Sequence, residues 1–127
     1  MAVWCKFLGL ALAGAVGALC RYGLSGLVQK SISSTFPWGT LAVNVIGCFI
    51  FGFIWTLSAE RLIINSEMRL FILTGFLGAF TTFSSFIFET DQIVGNGQWL
   101  LAGANVFGSL AAGLLAYMFG ALLGRLL

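Results

Sequence analysis

Histidine is absent from this 127-residue sequence, and charge and proline are scarce. Only 8% of the residues are charged and there is a single proline. The lack of histidine excludes His-based catalytic triads and His metal sites, and no GxGxxG or Walker-type phosphate loop is present. So little charge beside 60% hydrophobic residues excludes an ordinary soluble domain and indicates a membrane protein. A net charge of +2 without a basic run or RNA-binding signature gives no indication of nucleic acid binding.

The three cysteines, Cys5, Cys20 and Cys48, are odd in number and form no CxxC motif. They support neither a disulfide framework nor a metal site, and we interpret them as small apolar side chains. Residues 11–13 loosely resemble a signal-peptidase site near the N-terminus. The apolar pattern continues past them to Leu27, which favours a retained membrane helix over a cleaved signal.

Four stretches of the chain are long and apolar enough to span a membrane as helices. They cover roughly residues 3–27, 39–57, 70–95 and 99–123, close to the length of about 20 residues that crosses the hydrocarbon core. The connections are short, and Gly95-Asn96-Gly97 is a strong turn signal. Residues 1–127 are therefore predicted to form a single all-α domain of four transmembrane helices.

Two polar side chains inside these stretches have more than one interpretation. Arg21 in the first stretch either extends to an interface or faces a cavity or an anion path, because a charge that faces lipid is costly. Asn44 in the second stretch either bonds two helices together or donates its side-chain N–H to an anion. The sequence alone leaves both questions open.

Small residues recur every four positions and predict close contacts between helices. The longest row lies in the fourth stretch: Ala104, Gly108, Ala112, Ala116, Gly120 and Gly124. Asn105 and Ser109 lie beside that row, one turn apart. The pattern N-V-x-G occurs at both Asn44 and Asn105. This short repeat predicts that the second and fourth helices turn similar faces toward the interior.

The third stretch contains a segment that is too polar for lipid, TGFLGAFTTFSSFIFE at residues 74–89. Gly75 and Gly78 can loosen a helix, and four hydroxyl side chains follow: Thr81, Thr82, Ser84 and Ser85. Irregular backbone at membrane depth persists only where protein buries it or where it lines a watery cavity. We therefore predict that this segment interrupts the third helix and lines a site.

This segment fits two kinds of ion. Hydroxyl and amide groups can replace part of an anion's hydration shell, and Phe83 and Phe86 can offer positive ring edges to a small anion, although ordinary packing is the alternative for both. Backbone carbonyls exposed by a break between Gly75 and Thr82 can instead coordinate a hard monovalent cation such as Na⁺. Glu89 either caps this polar segment or marks the approach to the aqueous interface.

Residues 78–86, GAFTTFSSF, resemble the GGxTTFSTF signature of the Fluc (CrcB) fluoride channel family. Departures at Ala79 and Ser85 keep small size or hydroxyl chemistry. The resemblance extends over the whole chain through four further matches: Arg21-Tyr22 with an arginine-aromatic pair of the first helix, Gly39-Thr40-Leu41 and Asn44 with GTLxxN, Glu89 with an acidic position, and Gly108-Ser109 with a fourth-helix GS.

This resemblance implies an antiparallel, dual-topology homodimer with two fluoride pores and no enzymatic activity. Asn44, Phe83 and Phe86 would line each pore. The predicted anion path includes five more residues: Arg21, Thr40, Ser84, Ser85 and Ser109. The resemblance also implies a structural Na⁺ at the dimer interface, bound by backbone carbonyls of Gly78 and Thr81.

We therefore predict passive export of fluoride from the cytoplasm across the bacterial plasma (inner) membrane. The expected partners are fluoride, the lipid bilayer and a second copy of the chain, with no nucleic acid. Dual topology agrees with a small charge asymmetry between the two ends of the helices, in which four basic residues oppose two. These are Lys6, Arg61, Arg69 and Arg125 against Arg21 and Lys30.

Two other classes of protein remain as alternatives. Small four-helix multidrug transporters are also dual in topology, but the members compared carry a membrane-embedded glutamate in the first helix, where this chain has Arg21. A non-transporting assembly subunit would use the small-residue faces only for packing, and it would carry no ion flux by itself.

Overall fold

The computed structural model describes residues 3–127, which form long helices joined by short connections. α1 (Val3–Ile32) and α6 (Trp99–Leu126) are uninterrupted. α2 (Trp38–Trp55) continues as a π-helical segment, Thr56–Glu60. The third span consists of four pieces in series: α3 (Ser66–Arg69), a π-helical segment (Leu70–Leu77), α4 (Gly78–Phe80) and α5 (Phe83–Gly95).

Four helical spans are long and apolar enough to cross a membrane: Val3–Ile32, Trp38–Glu60, Ser66–Gly95 and Trp99–Leu126. They confirm the prediction of an all-α chain with four membrane-spanning helices. Several helix ends lie three to five residues beyond the predicted limits, because backbone hydrogen bonding continues through polar residues where the apolar pattern stops. Met1 and Ala2, part of the predicted domain 1–127, lie outside the described residues.

The connection between α1 and α2 is held by the side chain of Gln29. Its amide nitrogen donates to the carbonyls of Ser34 at 2.7 Å and Phe36 at 3.1 Å, and its amide oxygen accepts from the Gly39 N–H at 3.1 Å. One side chain therefore closes the loop and satisfies a free N–H at the start of α2. At the opposite turn, Gly97 has a φ of +74°, which glycine adopts without a steric penalty.

Small residues allow close helix pairings within the chain. A Cβ added to Gly17 of α1 would collide with the Phe76 backbone in the third span, and one added to Gly120 of α6 would collide with the Phe49 carbonyl of α2. These contacts confirm that small-residue rows mark helix contacts. Gly108, in the first half of the α6 row, has no neighbouring atom within 4 Å of such a Cβ among the described residues. That part of the row is not covered by the chain's own helices.

The buried core lies between the second and third spans. Val43, Leu73, Leu77 and Phe80 form its centre. α1 buries only Gly17, so most of its surface is exposed in the single chain. This arrangement holds the third span against α2 on one side and α1 on the other, and it thereby positions the polar segment.

Charged side chains pair at the end of the helices where both termini lie. Arg125 Nε contacts Glu60 Oε2 at 2.8 Å, and Lys6 Nζ lies 3.6 Å from Glu67 Oε1. The Arg69 guanidinium lies 5.2 Å from the ring centroid of Trp55. Surface ion pairs of this kind stabilise a fold only slightly. They offset part of the positive charge at this end of the molecule.

Candidate functional site

Two residues with extended backbone separate α4 from α5. Thr81 has φ −82° and ψ 158°, and Thr82 has φ −149° and ψ 120°. Gly78, one of the two glycines expected to loosen the helix, is itself helical, with φ −60° and ψ −32°, and Gly75 lies in the π-helical segment. The helical backbone thus stops after Phe80, and the groups that pair with Thr82 explain why it stops there.

The Asn44 side chain pairs with both backbone groups of Thr82. Asn44 Oδ1 accepts from the Thr82 N–H at 2.9 Å, and Asn44 Nδ2 donates to the Thr82 carbonyl at 3.0 Å. An amide side chain can replace backbone partners in this way because it carries one acceptor and two donors. The structure therefore gives Asn44 the helix-to-helix contact that was one of its two interpretations, and it leaves a second Nδ2 hydrogen for another acceptor.

Thr82 also caps α5, since its hydroxyl oxygen accepts from the Ser85 N–H at 3.3 Å. In a continuous α-helix the Ser85 N–H would bond to the Thr81 carbonyl, and the Thr82 N–H would bond to the Gly78 carbonyl. Both donors point elsewhere. The carbonyls of Gly78 and Thr81 consequently lack the α-helical partners that they would otherwise have.

An open cleft of about 560 Å³ lies against the interruption. It brings together six residues predicted for the two ion sites: Asn44, Gly78, Thr81, Phe83, Phe86 and Ser109. The Phe83 and Phe86 ring centroids are 5.9 Å apart with an angle of 37° between the planes. Phe86 is 7% exposed, whereas Phe83 is 73% exposed at the mouth of the cleft.

A second cavity of about 400 Å³ also borders Thr82. Its lining includes Arg21, Thr40 and Ser85 together with Glu89. The Thr40 hydroxyl donates to Glu89 Oε1 at 2.7 Å, so Glu89 joins the end of the polar segment to α2 and lines this cavity. Thr82 lines both spaces.

Of the eight predicted path residues, all of them within the described chain, Ser84 is the one that lines neither the cleft nor the second cavity. Its side chain is exposed, and its hydroxyl lies 3.4 Å from the Thr82 hydroxyl. Thr82 and Glu89 were missing from the predicted path residues, although both lie in the polar segment. The signal that could have identified Thr82 is its position in a Thr-Thr pair next to the expected break.

The two asparagines of the N-V-x-G repeat both face the third span. Asn44 pairs with Thr82, and Asn105 donates to the Thr90 hydroxyl at 2.8 Å. This agrees with the expectation that α2 and α6 turn similar faces inward. No group of three or more His, Cys, Asp or Glu side chains that could hold a metal occurs within residues 3–127.

Comparison with known proteins identifies the family. The sequence profile described as CrcB-like protein, Camphor Resistance (CrcB), matches residues 8–121. A protein of Nitrosococcus oceani is 52% identical over 118 residues, which are 93% of this chain and 94% of that protein. A protein of Desulforapulum autotrophicum is 50% identical over 122 residues, which are 96% of this chain and 98% of that protein.

Both relatives carry the name fluoride-specific ion channel FluC, as does a Maridesulfovibrio salexigens protein that is 47% identical over 122 residues, 96% of this chain and 97% of that protein. The name describes a transport protein and not an enzyme. The four apolar spans agree with membrane integration of such a protein. The predicted family is therefore confirmed, and this chain belongs to the CrcB family.

Proposed function

We propose that this protein is a fluoride channel that exports fluoride passively from the bacterial cytoplasm through the inner membrane. The names of its relatives support this function. The observation that carries the proposal is that the cleft and the second cavity share Thr82 and together bring hydrogen-bond donors from all four spans to one interruption.

The residues along these spaces suit a small anion. Arg21 and Glu89 both line the second cavity, and the Arg21 guanidinium is the group there that attracts an anion. Asn44 offers its remaining N–H hydrogen in the cleft, where Phe83 and Phe86 present aromatic rings. Neutral donors and ring edges replace hydration without a fixed opposite charge, so an anion is held weakly enough to leave again.

The proposed assembly is an antiparallel, dual-topology homodimer with two pores. A single chain leaves the cleft open at Phe83, which is 73% exposed, and leaves Gly108 without a neighbouring helix among the described residues. A second copy packed on this face would close the cleft and enclose the path. The difference of four basic residues against two between the ends is small, which agrees with insertion in either orientation.

The interruption of the third helix is proposed to hold a structural Na⁺ between the two copies. The carbonyls of Gly78 and Thr81 are the ligands, because Asn44 and the Thr82 hydroxyl occupy the N–H groups that would otherwise pair with them. Na⁺ supplies positive charge that neutral carbonyls can stabilise between apolar helices. In this arrangement Gly78 and Thr81 contribute backbone oxygens, so their side chains have little part in binding.

Fluoride efflux from liposomes tests the proposed function. Purified protein is reconstituted into vesicles loaded with fluoride or chloride salt, and efflux is followed with ion-selective electrodes. We expect fluoride efflux and much slower chloride efflux. Proton flux coupled to a cationic drug would instead indicate a multidrug transporter, and the absence of any flux would indicate an assembly subunit.

A further inference from the structure

A chain of hydrogen bonds beside the cleft involves Thr90 and Asn105, which are not part of the proposed path. Asn105 is 1% exposed, and its Nδ2 donates to Thr90 Oγ1 at 2.8 Å. The Thr90 hydroxyl donates to the Phe86 carbonyl at 2.7 Å. At the other end, the Ser109 hydroxyl donates to Asn105 Oδ1 at 3.3 Å. The chain thus connects Ser109, which lines the cleft, to the backbone of Phe86.

The direction of this chain is fixed by the Phe86 carbonyl, which can only accept. Thr90 has one hydroxyl hydrogen, and that hydrogen points to Phe86, so Thr90 Oγ1 can only accept from Asn105. The Asn105 amide must therefore turn its nitrogen toward Thr90 and its oxygen toward Ser109. In the opposite orientation of the amide, Asn105 Oδ1 would face Thr90 Oγ1, and no hydrogen would lie between these two oxygens.

Ser109 consequently has its single hydrogen directed at Asn105 when no anion is in the cleft. The donor–acceptor distance of 3.3 Å exceeds the usual range of about 2.5–3.0 Å for hydroxyl donors, so this bond is weak. A serine in a helix has another partner within reach, the backbone carbonyl four residues earlier. A bond to that carbonyl would hold the hydrogen more firmly than the stretched bond to Asn105.

We propose that Asn105 is a positioning residue that acts through Ser109. The weak bond to Asn105 keeps the Ser109 hydrogen away from the helix backbone. When an anion enters the cleft, the Ser109 hydroxyl turns its hydrogen to the anion. When the anion leaves, the hydrogen returns to Asn105. Thr90 holds the Asn105 amide in the orientation that this requires. The inference rests on the proposed function, because it needs an anion to pass Ser109.

A purely structural role for the same residues makes a different prediction. Asn105 and Thr90 also connect α6 to the backbone of Phe86, and loss of that connection would affect flux whether or not Ser109 has a hydroxyl. The two roles separate in a Ser109→Ala background, where no hydroxyl hydrogen remains to be positioned.

The test measures fluoride efflux from liposomes for the full chain and its variants. We expect Asn105→Leu and Ser109→Ala each to lower flux by about tenfold, the equivalent of one hydrogen bond, and the double variant to lower it no further. Thr90→Val should lower flux by a smaller factor, because the amide can then adopt either orientation. Thr90→Ser, which keeps the hydroxyl, should restore it.

Each outcome supports or overturns the inference. Two independent tenfold losses would multiply to about a hundredfold in the double variant Asn105→Leu/Ser109→Ala. A loss of that size would show that Asn105 does not act through Ser109. Wild-type flux in Asn105→Leu would overturn the inference and leave the proposed function intact, whereas a wild-type protein without fluoride flux would overturn both. If Asn105→Leu does not elute as the wild type does on size exclusion, Thr90→Val decides: a loss of flux that persists in the Ser109→Ala background overturns the inference.

Discussion

Replacement of Asn44 by aspartate tests the proposed anion path and the interruption at the same time. The substitution keeps the shape of the side chain and the acceptor for the Thr82 N–H. It removes the Nδ2 donor, so a carboxylate oxygen would face the Thr82 carbonyl across the present distance of 3.0 Å. It also places a negative charge on the lining of the cleft.

The electrostatic effect on an anion is the larger of these two. A unit negative charge about 5 Å from a passing anion, at an effective dielectric constant of about 20, raises the anion's energy by about 3 kcal/mol. That energy corresponds to a flux lower by roughly two-hundredfold. The lost hydrogen bond should destabilise the fold by about 1–3 kcal/mol, which lowers the melting temperature by several degrees without preventing assembly.

The assay is fluoride efflux from liposomes, with Asn96→Asp as the matched control. Asn96 lies in the exposed turn between α5 and α6, so the same change of charge there should leave flux unaltered. Size exclusion and thermal denaturation of both variants separate a conduction defect from misfolding. An Asn44→Asp channel that conducts within about twofold of wild type would remove Asn44 from the path and refute this electrostatic reasoning.

Three further predictions concern the pore, the orientation and the cation. Phe86→Ile should lower fluoride flux by about tenfold because the ring edge is lost, while Phe107→Ile on the exposed face of α6 should not, and equal fluxes would refute the aromatic role. Reporters fused at Leu127 should appear on both sides of the membrane, and a tag found only in the cytoplasm regardless of added lysines would contradict dual topology. Replacing Na⁺ by a large organic cation should abolish flux slowly. Thr81→Ser should retain flux and Gly78→Leu should lose it, whereas flux that persists without Na⁺ would refute the cation site.

Thr82 has two roles, one in the interruption of the third span and one in the spaces beside it. Its backbone pairs with Asn44, and its hydroxyl caps α5, so one residue frees the Gly78 and Thr81 carbonyls. It also lines both the cleft and the second cavity. A change at Thr82 would therefore affect both proposed ion sites, which makes it less informative in a flux assay than a change at Ser109.

The sequence by itself determined the four spans and the family. Apolar length is a local property that is read along the chain, and helices at membrane depth must satisfy their own backbone groups, so composition is enough to predict them. The motif GAFTTFSSF and its companions determined the family in the same way. The polar character of residues 74–89 was also sufficient to indicate a site.

Only the tertiary structure decided where the helix is interrupted and how its polar groups are paired. The two glycines indicated a break near Gly75 and Gly78, but these residues remain helical because glycine permits a break without requiring one. The interruption follows Phe80 because Asn44, 38 residues earlier in sequence, offers both backbone groups of Thr82 a partner. No local pattern contains a contact of that separation, which exists only once α2 has packed against the third span.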